Sequence, residues 1–258
     1  MNLLIFPGEK IYMNTTQTIS NFFEKRKLEP HYHNLELPPE NQTLDSQLKW
    51  IIEESNIRTL RLNLEIPHEA MYQEASSLIH DFYSHRDEGE DHQGWKSLVI
   101  HGRGKHITQG DEQYENINEL PDYHWTEVAD QCPITTNWLK NSWPLDKFLR
   151  VRFMLLEPGG YIMPHRDNNK RKLQAINIAL NNPIGCVFGM EGYGIIPWQP
   201  GDVRFIDIST NHAVWNNSNI PRIHIIVHGW PVNQYKEYRN LVIESYKKTY
   251  EEYISPGV

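Results

Sequence analysis

The sequence predicts a mainly β core with flanking helices, an α+β chain organised around a double-stranded β-helix of the jelly-roll or cupin type. Three features carry that expectation. From Phe148 to Trp230, short runs rich in Val, Ile, Phe and Leu are separated by Pro-Gly or Asn-rich turns. The runs are Phe148–Glu157, Tyr161–His165, Leu173–Asn181, Cys186–Glu191, Asp202–Ile208, Ala213–Trp215 and Arg222–His228, a count and spacing suited to a jelly roll. Helical periodicity, by contrast, is confined to the segments on either side.

Residues 1–147 read as a mixed scaffold. Asp45 to Ser55 has a helical pattern, Arg58 to Ile66 reads as a strand, and Pro67 to Tyr83 as a helix with proline in its first turn. The run SHRDEGEDHQG from Ser84 to Gly94 is charged and breaks any period, as a solvated loop does; Trp95 to Ile100 alternates and reads as a strand returning to the sheet. Gly110 to Asp122 is a second polar connector. His31 and His33 lie in a polar, Pro-rich segment and read as exposed. After Pro231, Tyr235, Tyr238, Leu241, Val242, Tyr246, Tyr250 and Tyr253 follow a helical period, so 231–258 is expected to form a helix. Its stripe is expected to pack on the barrel, with a homodimer contact as the alternative use.

A chain of 258 residues buries a sizeable core, and one domain spanning 1–258 is expected. No stretch approaches the ~20 apolar residues of a membrane span, and MNLLIFPGEKIYMN lacks the basic start of a signal peptide, so a cytoplasmic protein is expected. Cys132 and Cys186 are too few for a disulfide framework and read as small buried hydrophobes. Acidic residues outnumber basic ones by 33 to 25, and no Lys/Arg stripe suits a phosphate backbone; nucleic acid is not an expected partner. HGRGKH at 101–106 lacks the spacing of a phosphate-binding loop.

The chemistry lies in MPHRDNN and NHAVWN. His165 and Asp167 stand two apart at the end of a strand, and a period of two turns both to one face. Such a pair alone is unremarkable in a chain with 13 histidines. His212, at the start of a later strand, adds a second imidazole that antiparallel pairing brings alongside. Two histidines and one carboxylate make a facial triad for Fe(II), leaving positions open for a bidentate 2-oxo acid and for O2. Arg222, ten residues beyond His212, adds a guanidinium fork that suits the distal carboxylate of 2-oxoglutarate. His224 shares its face, Asn177 and Arg152 are further positions for cosubstrate or substrate contact, and Trp215 is a possible aromatic wall.

LEPGGYIMPHRD followed by GDVRFIDISTNHAVWNNSNIPRIHIIV resembles the aspartyl/asparaginyl β-hydroxylase family of Fe(II)/2-oxoglutarate dioxygenases. The resemblance runs from about Phe148 to Trp230, and Trp95 in GWKSLVIHG resembles an upstream family strand. It implies that His165, Asp167 and His212 bind Fe(II), that Arg222 holds 2-oxoglutarate, and that an unactivated C–H of an amino acid or aminoacyl side chain, of Asp/Asn or Pro type, is hydroxylated with succinate and CO2 as co-products. Protein-modifying members carry glycine where Asp167 stands, and have Ser, Arg and His where Met154, Ala175 and Asn177 stand here. In its full triad the chain looks more like the free-proline hydroxylases. Two other readings use the same residues: a cupin-like metal-binding module without turnover, and a Zn or Mn hydrolase or isomerase with Arg222 on a substrate carboxylate.

Overall fold

The computed structural model describes residues 7–29, 31, 34–108, 122–167, 170 and 173–255, with the backbone alone for 7–14 and 174–175. Among these residues eleven strands form one antiparallel sheet that curls on itself. Its main path runs β1 (Thr59–Arg61), β9 (Val203–Asp207), β6 (Leu173–Ala179), β11 (Arg222–Trp230), β5 (Lys147–His165), β10 (His212–Asn216), β7 (Cys186–Met190) and β8 (Gly194–Ile195). β3 (His92–Gly102) also pairs with β5 and carries the short strands β2 (Tyr83–Ser84) and β4 (His124–Trp125). The expected jelly-roll core is present.

β5 sets the shape. Two strands joined by a Pro-Gly turn were expected, but Lys147–His165 is one 19-residue strand bent at Pro158–Gly160. Gly159 has φ +76°, and a Cβ on Gly160 would come 2.8 Å from the Gln93 carbonyl oxygen and 2.9 Å from that of Glu157. The chain does not reverse because β3 accompanies it through the bend, Trp95 opposite Leu156 and Gln93 opposite Tyr161, with a bulge between them. The first half of β5 therefore pairs with β11 and its last residues with β10.

The helices cover the sheet. α2 (Leu44–Glu53) starts where Thr43 Oγ1 accepts the Ser46 N–H at 3.2 Å. α6 (Tyr235–Ile254) sinks Val242, Ile243 and Tyr246 into the main core, with Trp50 of α2 edge-on to Tyr246 at 5.9 Å; the tyrosine stripe packs on the barrel as expected. α1 (Pro7–Arg26) was not anticipated; Ile19 and Phe23 cover the outer face of β10. α4 (Glu127–Gln131) and α5 (Pro133–Asn141) were also missed, although proline at the first position of α5 is a helix-start signal. Glu74, on α3 (His68–Ser77), closes that end by accepting the Ile134 and Thr135 N–H groups at 2.7 and 2.9 Å.

Three early boundaries change. The strand expected over Arg58–Ile66 shortens to Thr59–Arg61 because β9 offers it only three pairing positions. The helix expected to reach Tyr83 stops at Ser77, and a 3₁₀ turn at Ile79–Asp81 redirects the chain so that buried Phe82 meets Phe153 at 6.4 Å. The charged loop keeps its solvated centre but lends Ser84 to β2 and His92–Gly94 to β3. His31 is exposed, with its ring stacked on Tyr193 at 5.1 Å; His33 and nearly all of the Gly110–Asp122 connector lie outside the described residues. Cys132 and Cys186 are both buried and unpaired, and burial pushes the Cys132 thiol up to about 12. No helix among the described residues is long and apolar enough to cross a membrane.

Asp146 fastens the exit of β11: its carboxylate accepts the backbone N–H of Val232 at 2.6 Å and of Asn233 at 2.8 Å. Partial burial opposes ionisation, but the Asn233 and Val232 donors outweigh it and hold the carboxyl below its ordinary value. A depressed folded-state value stabilises the fold above the unfolded value and loses that contribution as pH falls through the folded one. Asp146→Ala is expected to cost about 1 kcal/mol at pH 7 in urea denaturation, and the difference from wild type is expected to shrink as the pH is lowered below about 4.

Candidate metal centre

The register of β5 against β10 assembles the site. His212 is the Cα partner of His165, and their rings lie 4.4 Å apart. Asp167, just beyond β5, is held by its own backbone, whose N–H donates to the Ile208 carbonyl at 3.0 Å. Its carboxylate oxygens lie 3.3 Å from His165 Nε2 and 3.6 Å from His212 Nε2. One ligand atom from each residue falls within 4.8 Å of the others, and no fourth His, Cys, Asp or Glu joins them among the described residues.

Tautomer follows from the backbone. His165 Nδ1–H donates to the Met163 carbonyl and His212 Nδ1–H to the Thr210 carbonyl, each at 2.8 Å. A carbonyl only accepts, so each Nδ1 carries the proton and each Nε2 presents a lone pair to the centre. Burial, then the neighbouring His165 charge, pull His212 below its ordinary value. Burial acts the same way on His165, but the Asp167 and Met163 contacts reverse it and raise that ring. Burial opposes ionisation of Asp167, yet its bond to His165 and the charge of His212 hold it low. Two imidazoles and an ionised carboxylate, grouped on one side, fit a borderline divalent ion such as Fe(II).

Across the barrel lies Arg222. A cavity of about 90 Å³ joins it to the triad, walled by Trp95, Met154, Asn177, Phe188 and Ile226. Arg222 is buried, forms no ion pair among the described residues, and its Nε has no acceptor. Burial lowers it only to about 10, so it stays charged at neutral pH. A buried cation without a counter-charge is costly, and an anionic ligand end would relieve the cost.

The model of the aspartyl/asparaginyl beta-hydroxylase family matches residues 56–231. The chain belongs to that family. It is thereby an enzyme of the 2-oxoglutarate-dependent oxygenases, with a triad and buried arginine of the expected kinds. No curated protein matches the chain in sequence. Among solved structures, a 2OG-Fe(II) oxygenase family oxidoreductase from Burkholderia pseudomallei is 12% identical and covers 80% of this chain and 97% of its own, at a TM-score of 0.48. A Pseudomonas putida prolyl-4-hydroxylase is 16% identical over 67% of this chain and 92% of its own, with a TM-score of 0.38. The viral collagen prolyl hydroxylase of Paramecium Bursaria Chlorella virus-1, solved with 2OG, is 14% identical over 67% and 95%, also at 0.38.

The remaining expected residues of this β-hydroxylase family member divide. Asn177 and Met154 line the cavity, whereas the Ala175 side chain lies outside those described. His224 does not line the cavity as expected, because Arg222 folds back on it and donates from Nη2 to its Nδ1 at 2.7 Å. Arg152 is likewise displaced: its long side chain reaches the Thr108 carbonyl at 2.6 Å and lies 3.5 Å from His228 Nε2, outside the cavity lining. Trp215 is not the aromatic wall. Three residues past His212 on a strand is an odd step, which turns it to the outer face, where it stacks on Phe23 of α1 at 6.4 Å. Phe188, stacked on His212 at 5.7 Å, and Trp95 supply the aromatic wall instead.

Asp207 was missed. Fully buried, it accepts Arg58 Nη1 at 2.7 Å, Ser209 Oγ at 2.6 Å and Thr210 Oγ1 at 3.1 Å. It thereby fixes the turn whose Thr210 carbonyl orients His212 and whose Ile208 carbonyl anchors Asp167. Its signal was present: aspartate followed by Ser and Thr two and three residues on favours such side-chain-to-backbone turns. Asp207→Ala is expected to weaken Mn(II) binding by about tenfold or more in calorimetric titration. Trp215→Ala is expected to lower stability by about 2 kcal/mol while leaving Mn(II) affinity within about twofold of wild type.

Proposed function

We propose that this chain is an Fe(II)- and 2-oxoglutarate-dependent dioxygenase that hydroxylates an unactivated C–H of an amino acid or aminoacyl side chain, of Asp/Asn or Pro type, with succinate and CO2 as co-products. The observation that supports it best is a complete His-Asp-His triad and a buried arginine without an acidic partner, facing one cavity. Iron bound with 2-oxoglutarate and O2 supplies the oxidising chemistry for C–H hydroxylation.

The protein's part is geometric. His165, Asp167 and His212 would hold the ion from one side, and the carbonyl-fixed tautomers of the two histidines keep both Nε2 lone pairs facing that position. Arg222 would receive the far carboxylate of 2-oxoglutarate, leaving its oxo-acid end toward the triad across the cavity. Phe188, Met154 and Ile226 exclude water from that path. Asn177 offers an amide to cosubstrate or substrate. The unit is the whole chain, since the N-terminal scaffold contributes Trp95 to the wall.

The test is anaerobic addition of Fe(II) and 2-oxoglutarate while following the visible charge-transfer band of the chelate. Wild type is expected to develop the band, His212→Ala to lack it, and Arg222→Ala to require at least about tenfold more 2-oxoglutarate. Metal binding without a band in wild type would transfer the triad to the metal-module or hydrolase reading.

A further inference from the structure

Behind the cavity wall, on the far side of Arg222, lies a group of buried polar atoms. Arg222 donates from Nη2 to His224 Nδ1 at 2.7 Å, and both side chains are buried, His224 fully so. Guanidinium only donates, so His224 Nδ1 is a bare lone pair and its proton sits on Nε2. The Asn181 backbone also bonds the His224 ring, while Arg222 Nε is buried without an acceptor. Behind His224 the Trp198 ring stands edge-on at 4.8 Å, and its Nε1 also lacks an acceptor. Phe188 touches both sides of the group, 5.9 Å from the Arg222 guanidinium and 6.3 Å from Trp198.

A histidine buried in an otherwise apolar wall is anchored by its polar contacts, and the one toward the cavity side is the bond from Arg222. Its ring makes polar contact with Arg222 and with the Asn181 backbone. The Arg222 contact takes one of the two Nη2 hydrogens and fixes the guanidinium plane, leaving Nε without a protein acceptor and available to an anion. We propose that His224 is a positioning residue for 2-oxoglutarate: a neutral acceptor, wedged by Trp198, that orients Arg222 so that a carboxylate at one distance from the metal is favoured. Burial first, then the Arg222 charge beside it, keep the ring neutral, which the acceptor role requires. This rests on the dioxygenase reading above.

The experiment separates the distal carboxylate from the metal-binding end. 2-Oxovalerate carries the same 1-carboxylate and 2-oxo group as 2-oxoglutarate but has no distal carboxylate. Affinities of both are measured anaerobically on the Fe(II)-loaded protein by the charge-transfer band, for wild type, His224→Leu and His224→Gln. Gln supplies an amide oxygen for Arg222 and an N–H donor. His224→Leu is expected to weaken 2-oxoglutarate about tenfold and leave 2-oxovalerate unchanged, while His224→Gln stays within about threefold of wild type for both. In ligand-free protein, imidazole ¹⁵N shifts are expected to show His224 protonated on Nε2 alone at pH 7.

Unchanged 2-oxoglutarate affinity in His224→Leu overturns the proposal, as does a parallel loss of 2-oxovalerate, which marks a merely structural histidine. Protonation on Nδ1 overturns it too, independently of any ligand. A wild type that chelates neither oxo acid while binding metal overturns the dioxygenase reading, and the positioning role with it.

Discussion

The pairing of His165 with His212 across β5 and β10 is the constraint on which the rest of the structure depends. Imidazoles on separate strands meet at one ion only if the register is right, since a slip of one residue would send His212 to the outer face. Three devices hold that register. The bend at Pro158–Gly160 lets one strand serve β11 with its first half and β10 with its end. The Asp207 turn ties the approach to His212 to the segment that carries Asp167. α1 covers the outer face, where Ala213 and Trp215 alternate with the inward His212 and Val214.

The barrel resolves two opposing electrostatic demands by separating them. At the triad, the Asp167 carboxylate and the Nε2 lone pairs of two imidazoles face one another, a negative cluster that a divalent cation would balance. At the far end a guanidinium is buried with only a neutral imidazole beside it. Removing a charge from water costs several kcal/mol, and one hydrogen bond from that charge to a neutral acceptor returns about 2, so Arg222 is a standing cost in the ligand-free protein. Aspartate at position 224 would relieve that cost and would compete with any incoming carboxylate. A neutral acceptor holds the arginine without satisfying it, which is a requirement for binding rather than for stability.

Much of this was legible in the sequence because strand periodicity is strict. His165 and Asp167 two apart, His212 at a strand start and Arg222 on the next strand have their relative faces determined by a period of two. The same rule, applied to the three-residue step to Trp215, turns that side chain outward. What was not legible depends on long side chains and on partners distant in sequence. Arg152 reaches Thr108 and Arg222 curls onto His224 through torsions that strand position does not set. β5 stays continuous through a Pro-Gly pair because β3, more than fifty residues earlier, bulges at the same place. α1 arises where the chain was read only for targeting features, and its role is visible once the outer face of β10 is known to need covering.

The most direct measurement is anomalous diffraction from crystals grown anaerobically with Mn(II) and 2-oxoglutarate, in which the metal is located without reference to the protein. The expected result is one strong peak bonded to His165 Nε2, Asp167 and His212 Nε2, with 2-oxoglutarate chelating it and its distal carboxylate on Arg222. A metal held by other residues, or a fully protein-ligated ion with the oxo acid absent from the cavity, would contradict the assignment of this barrel as an Fe(II)/2-oxoglutarate site.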